Sequence, residues 1–160
     1  MKITIFGLTI SSSWGNGHAT LWRGLCRYLA MRGHRIVFLE KDVPYYAAHR
    51  DFEGMPGFQL VLYRDFEEGM RMGRTHMGDA DVAIVTSYCP QGAEVSKEVL
   101  ASRAGLKVFY DLDTPVTLDK FSRGDPVPDH ACGGLLPGFG PELCGFSTED
   151  RDTYPACPRL

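Results

Sequence analysis

The residues with the clearest chemical potential lie in a polar loop that follows the apolar residues 3–6. Its candidate substrate-binding and catalytic members are Ser13, Gly15, Asn16, Gly17 and His18. Backbone N–H groups beside glycines can approach an oxyanion or a sugar hydroxyl at a helix N-terminus. A histidine at the first helical turn can accept a hydrogen bond or act as a general base near neutral pH. In the alternative, the glycines only supply turns with positive φ, and the histidine is a capping or surface residue.

Polar residues also follow two later apolar runs. Ser87 and Tyr88 come directly after residues 81–86, and Asp111, Asp113 and Thr114 come after residues 106–110. A carboxylate can accept a hydrogen bond from a substrate hydroxyl or take its proton, so Asp111 and Asp113 are catalytic candidates. They point the same way if the strand continues. In the alternative an aspartate caps a helix that begins near Pro115, although Thr114 is the more direct N-cap. Ser87, Tyr88 and Thr114 are candidates for substrate binding.

The elements that position these residues follow from the hydrophobic pattern. Continuous runs of β-branched and aromatic residues are typical of parallel strands that are buried on both faces. Strands are predicted at 2–6, 35–39, 59–63, 81–86 and 106–110, and helices at 18–31, 65–77, 91–103 and 115–123. Residues 40–46 are predicted as a loop. The second helix is predicted to be weak, since Gly69 and Gly73 each cost about 1 kcal/mol relative to Ala.

This alternation predicts an α/β fold, a Rossmann-like parallel sheet in the order 3-2-1-4-5 with helices on both faces. In such sheets ligands bind outside the carboxyl ends of the strands, where the strand order reverses. The three polar segments are therefore expected to converge on one edge. Tyr45, Tyr46 and Tyr88 could stack there on a sugar or a base, or simply pack at strand ends. Residues 11–13, all serine, are predicted to form a flexible loop, with hydrogen bonding to a ligand as the alternative.

Composition excludes several classes of function. The 160 residues suffice for one domain with a core. The net charge of −3 gives no basic surface for nucleic acid. No apolar run approaches the ~20 residues of a transmembrane segment. The N-terminus does not resemble a signal peptide, so the cytoplasm is the expected location.

The chain has five cysteines, an odd number, and no C-x-x-C pair. This pattern favours free thiols over disulfides or a metal site.

Residues 124–160 differ in character from the rest of the chain. They contain six glycines, six prolines and three of the five cysteines, and they show no hydrophobic period. We therefore divide the chain into a domain at 1–123 and an irregular tail at 124–160. A truncated gene or a shift of reading frame near residue 128 would explain the change.

Four longer motifs carry a family resemblance. They are FGLTISSSWGNGHAT at 6–20, RGH at 32–34, DVPYY at 42–46 and YDLDTPVT at 110–117. Together they resemble the N-terminal half of bacterial CgeB-like (spore maturation protein-like) glycosyltransferases, which are similar to GT-B enzymes. The resemblance covers about residues 1–128 and is far more specific than a lone G-x-G.

The resemblance implies a function. GT-B enzymes have two Rossmann-like domains, of which the first mainly holds the acceptor and the second mainly grips the sugar nucleotide. It implies that residues 15–18 face the cleft between the domains and that Asp111 and Asp113 line the acceptor side. The donor is a nucleotide sugar, and no metal or other cofactor is implied. Because the donor domain is missing, the chain is expected to be inactive unless it pairs with a separate one.

Two other functions stay open at this point. The chain could be a stand-alone nucleotide- or dinucleotide-binding module, such as an oxidoreductase fragment, in which Glu40 holds a ribose. Against this, Thr20 stands where G-x-G-x-x-G has its third glycine. The chain could also be a non-catalytic domain that binds a sugar or a protein partner through an exposed hydrophobic edge.

We expect a chain truncated at Pro128 to keep the melting temperature of the full chain. The predicted core lies entirely within residues 1–123, so the removed residues would contribute little burial. Differential scanning calorimetry of the two chains compares the melting temperatures directly. A drop of more than about 4 °C, roughly 1 kcal/mol for a domain of this size, would show that the tail packs on the core.

Overall fold

The fold is an open α/β sheet, seen in a computed structural model that describes residues 1–123 and Asp125. Five parallel strands lie in the order β3-β2-β1-β4-β5, which confirms the predicted topology. The strands are β1 (Lys2–Gly7), β2 (Arg35–Lys41), β3 (Phe58–Tyr63), β4 (Val82–Thr86) and β5 (Leu106–Tyr110). The helices are α1 (Gly17–Met31), α2 (Pro44–Ala47), α3 (Phe66–Met77), α4 (Gly92–Ala101) and α5 (Thr114–Ser122). What was predicted for residues 124 and 126–160 lies outside the described residues.

The structure departs from the predicted elements mainly after β2. The strand continues to Lys41, and the single turn α2 follows where a loop was predicted. Pro44 occupies the first turn of α2, a position that suits its fixed φ and its missing N–H. A helix of four residues is too short to produce a hydrophobic period, so the pattern could not reveal it.

Two hydrophobic cores lie on opposite faces of the sheet. The strands alternate between them: Ile36 and Phe38 of β2 face one core, and Val37 and Leu39 face the other. Trp22 and Cys26 bring α1 onto the first face. On the second face Met70 and Met77 of α3 and Val95 and Val99 of α4 complete the core. Both faces are therefore covered by helices, as a parallel sheet requires. No helix among the described residues is long and apolar enough to cross a bilayer.

The two glycines of α3 have a packing role that the propensity argument missed. A Cβ placed on Gly69 would lie 2.7 Å from Cδ2 of Tyr63, and one on Gly73 would lie 2.6 Å from Cζ of Phe6. Phe6 is fully buried and Tyr63 nearly so. The helix therefore approaches the aromatic rings of β1 and β3 more closely than any residue with a side chain would allow. Its low intrinsic propensity is offset by this contact with the sheet.

The edge strand β5 is the least covered of the five. Leu106 is exposed and the other four residues of the strand are half-buried. Leu21 and Tyr28 on α1 and Val116 on α5 are also exposed. A non-catalytic domain that binds a protein partner would need an exposed hydrophobic edge of this kind. Nothing among the described residues identifies a partner that would cover it.

We expect Gly73→Ala to lower the free energy of unfolding by about 1–3 kcal/mol, because the added methyl group overlaps a ring that cannot move aside. The matched control is Gly24→Ala in α1, where an added Cβ meets nothing within 4 Å. That variant should gain about 0.5–1 kcal/mol from helix propensity alone. Urea denaturation measures both. Equal stabilisation of the two variants would contradict the close contact between α3 and β1.

Candidate functional site

The loop between β1 and α1 is held by a buried carboxylate. Glu40, 1% exposed, lies beside Gly7 in the register of β2 and β1. Its Oε2 accepts hydrogen bonds from the backbone N–H groups of Ile10 at 2.8 Å and Ser11 at 3.0 Å. Its Oε1 accepts a bond from the Ser11 hydroxyl. Both carboxylate oxygens therefore bind the loop, and a ribose could reach Glu40 only if the loop moved.

The serine run is anchored along its whole length, so the predicted flexible loop is wrong here. The Ser12 hydroxyl donates to the carbonyl of His49 at 2.8 Å. The Ser13 backbone N–H donates to Oδ1 of Asp51 at 3.0 Å, and its hydroxyl donates to the same carboxylate. Arg23 of α1 pairs with Asp51. The hydrogen bonds from Arg23 and Ser13 hold the pKa of Asp51 well below its usual range. Ser13, predicted to bind substrate, is thus already occupied by a neighbouring residue.

The glycine-bearing turn has separate roles for its residues. Gly15 has a φ of +59°, so the turn explanation holds for it, and a Cβ there would lie 3.0 Å from the Tyr45 hydroxyl. Gly17 is exposed at the start of α1 and has open space around it. Asn16 is the N-cap: its side-chain oxygen accepts from the N–H of His18 at 3.0 Å, and its amide nitrogen donates to the Thr9 carbonyl at 3.2 Å. Asn16 therefore shapes the turn.

Three of the predicted residues meet at the edge of the sheet where the strand order reverses. The rings of His18 and Tyr88 lie 4.7 Å apart between centroids, inclined by 37°. The Tyr88 hydroxyl donates to Oδ2 of Asp113 at 3.1 Å. Burial first, then this hydrogen bond and the charge of Asp113, raise the pKa of Tyr88, so the phenol stays protonated near neutral pH. Tyr88 thereby joins the first turn of α1 and the loops after β4 and β5.

The two aspartates have different partners and do not form a pair of equivalent carboxylates. Asp111 accepts hydrogen bonds from the backbone N–H of Asp113 at 3.2 Å and from the hydroxyl of Thr117 at 2.9 Å, so it supports the first turn of α5. The Asp113 carbonyl accepts the first bonds of α5. Asp113 therefore occupies the capping position expected for Thr114, which is instead the first helical residue and exposed.

Ser87 also acts within the protein. Its hydroxyl accepts a hydrogen bond from the backbone N–H of Leu112 at 2.9 Å, which ties the loop after β4 to the loop after β5. The bond fixes the spacing of Tyr88 and Asp113. Ser87 thus helps to position the candidate site, while its O–H can still donate a hydrogen bond.

A cleft of about 250 Å³ opens beside Tyr88 and Asp113. The first turn of α4 lines one wall, and residues of α5, including Thr117 and Lys120, line the other. Its lining combines the carboxylates of Glu94 and Asp113 with the ammonium group of Lys120 and several hydroxyls. This combination suits a small hydroxylated molecule. Among the described residues no group of three or more His, Cys, Asp or Glu side chains could hold a metal ion.

Sequence reasoning placed the convergence of loops but missed a second set of residues at this edge. Trp14 stacks on His49 at 4.7 Å between ring centroids, with the rings inclined by only 8°. A tryptophan inside a glycine- and serine-rich loop was a signal that could have been used, since such loops seldom bury a large ring. His49 had no local signal, because its partner lies 35 positions away in the chain.

We expect Glu40→Ala to lower the free energy of unfolding by about 2–4 kcal/mol, since two buried N–H groups lose their acceptor. The amides of Ile10 and Ser11 should then exchange with solvent much faster, which hydrogen exchange followed by NMR measures. Glu40→Gln keeps one oxygen for these amides and should retain most of their protection. Glu53→Ala, at an exposed position, is the matched control. Unchanged exchange at both amides in Glu40→Ala would show that another group holds the loop.

Comparison of the chain with protein-family models, with curated proteins and with solved structures finds no match.

Proposed function

We propose that residues 1–123 are the acceptor-side half of a glycosyltransferase that takes its sugar from a nucleotide-sugar donor. The observation that supports this most directly is the meeting of His18, Tyr88 and Asp113 at the point where the strand order reverses. Ligands of open α/β sheets bind at this point. The resemblance to CgeB-like glycosyltransferases adds the reaction class to the proposal.

In the proposed reaction the acceptor hydroxyl gives its proton to a base on this chain. Its oxygen forms a bond to the anomeric carbon of the donor sugar, and the bond from that carbon to the diphosphate breaks. The nucleoside diphosphate leaves with the electron pair. The required base must lie within hydrogen-bond reach of the acceptor hydroxyl, next to the cleft.

Asp113 and His18 are the two candidates for this base. Asp113 lines the cleft and accepts the Tyr88 bond on Oδ2, and among the described residues its Oδ1 accepts no hydrogen bond. The ring nitrogens of His18 likewise have no hydrogen-bond partner in the described part of the chain, although one face of the ring packs on Tyr88. Tyr88, protonated and in contact with both, keeps the carboxylate and the imidazole in fixed positions.

The donor is assigned to a separate domain in this proposal, with the exposed turn at Gly15 and Gly17 facing the diphosphate. Backbone N–H groups at the start of α1 and the helix dipole would favour that negative charge. No metal and no cofactor takes part, and the proposed location is the cytoplasm. The dinucleotide-binding alternative is less well supported, because Glu40, the residue expected to bind the ribose, is buried under the loop that it anchors.

We expect methyl glycosides, used as acceptor probes, to shift the NMR signals of His18, Tyr88 and Asp113 in the isolated chain. Asp113→Asn should weaken this binding several-fold, because one oxygen that accepts from the sugar hydroxyl becomes a donor. Tyr88→Phe keeps the ring against His18 but removes the bond to Asp113, so it should broaden the Asp113 signals. Asp119→Asn, which changes an exposed carboxylate on the helix that Asp113 precedes, is the matched control.

The same titration includes NAD⁺ and a panel of sugar nucleotides. Tight binding of NAD⁺ would contradict the proposal and would indicate a dinucleotide-binding module. Sugar transfer by the isolated chain would contradict the assignment of the donor site to a separate domain.

A further inference from the structure

Four aromatic side chains, three of them exposed and Tyr46 half-buried, form a cluster near the carboxyl end of β2. β2 lies on the opposite side of β1 from β4, which Tyr88 follows. We call Trp14, Tyr45, Tyr46 and His49 the aromatic platform. Trp14 stacks on His49. Tyr45 lies 5.9 Å from His49 and 5.1 Å from Tyr46 between ring centroids. One continuous aromatic group thus joins the β1–α1 loop to α2 and the residues after it.

Hydrogen bonds from His49 and to its carbonyl hold the platform in place. The Nδ1–H of His49 donates to the carbonyl of Tyr45 at 2.9 Å, and the His49 carbonyl accepts from the Ser12 hydroxyl. The Tyr45 hydroxyl lies over Gly15, where any side chain would crowd it. The rings are therefore preorganised, and a ligand would not have to order them on binding.

Much of the platform is in contact with solvent. Trp14 is 56% exposed and Tyr45 is 54% exposed, whereas the chain's other tryptophan, Trp22, is fully buried. Since one face of the Trp14 ring lies on His49, the exposed fraction belongs largely to the opposite face and the ring edge. Large apolar surface of this kind, fixed by polar contacts, is typical of a binding site.

The charges around the platform favour a neutral ligand. The two arginines that reach this segment are both paired, Arg23 with Asp51 and Arg50 with Asp42. Neither guanidinium is free to bind a phosphate, and Glu53, four positions after His49 in the chain, is exposed. The phosphates of a nucleotide would therefore find both arginines already paired, whereas an uncharged sugar ring needs no cation.

We propose that the aromatic platform binds a pyranose ring of the acceptor, so that the acceptor is a glycoside with at least two rings. The apolar C–H face of the sugar stacks on Trp14, and the tyrosine hydroxyls lie near its hydroxylated rim. Trp14 and His18 are four residues apart, so their Cα atoms lie within about 14 Å of each other. His18 in turn contacts Tyr88, and we assign the second ring to the surface between Trp14 and Tyr88. This inference rests on the proposed function, because it describes the acceptor of the proposed transfer reaction.

The test compares disaccharides with single sugars on the full chain. The probes are cellobiose, lactose, maltose and diacetylchitobiose, each set against its methyl monoglycoside. We expect at least one disaccharide to bind about tenfold more tightly than its monoglycoside and to shift the indole N–H signal of Trp14 but not that of Trp22. Trp14→Ala should abolish the tenfold difference, and Trp14→Phe should retain most of it. Tyr28→Ala, which removes an exposed ring of similar exposure from α1, should change nothing.

The outcomes separate this inference from the proposed function. Shifts confined to His18, Tyr88 and Asp113 would overturn the platform and leave the transfer site standing. Shifts confined to Trp14 and Tyr45 would show that the platform binds sugar, but they would contradict both the transfer site and an acceptor whose rings span the two surfaces. If UMP or NAD⁺ perturbs Trp14 and no disaccharide does, the ligand is not a sugar. Self-association that Trp14→Ala abolishes in sedimentation experiments would assign the platform to a second copy of the chain and overturn the inference.

Discussion

The buried carboxylate of Glu40 is the interaction on which the candidate site depends. Burying a carboxylate away from water is costly unless hydrogen bonds replace its hydration. Here the replacement comes from two backbone N–H groups and one hydroxyl of the loop that follows β1. If the loop moved away from Glu40, the buried carboxylate would lose its hydrogen-bond donors, and the amides of Ile10 and Ser11 would lose their acceptor. A long, serine-rich connection acquires one defined course in this way.

The course of the loop then decides what lies on each side of it. Asp51 and the carbonyl of His49 hold its serines on the side of β2, which brings Trp14 over His49. The Asn16 cap turns the chain into α1 and directs His18 to the opposite side, against Tyr88. One anchored loop thus separates an apolar stacking surface from a polar cleft. A glycoside whose rings span the two surfaces would use both.

The fold was predictable because its signals are local. Each signal lies within a few neighbouring residues: a continuous apolar run, helical spacing, or a glycine at a helix end. The right-handedness of the crossovers then limits the possible strand orders. The weakness assigned to α3 shows the limit of that reasoning. Gly69 and Gly73 are poor helix formers, but each faces an aromatic ring of the sheet, and that contact is invisible in the helix sequence.

Only part of the candidate site was predictable. The convergence of three polar loops followed from topology, but the roles of individual residues depended on partners far along the chain. Asp111 and Asp113 look equivalent in sequence, yet one supports α5 and the other meets Tyr88. Ser13, Asn16 and Ser87 are polar loop residues like any ligand-binding group, and each proved to be engaged by a protein neighbour.

The sequence by itself determined the fold class, the order of the strands and the edge at which polar groups gather, because these depend on periodicity and chain direction. Only the tertiary structure decided which of those groups are already bonded and which face solvent. A hydrogen bond joins atoms within about 3 Å in space whatever their separation in the chain. Glu40 and Ser11, or Trp14 and His49, become neighbours only when the sheet and its loops are assembled.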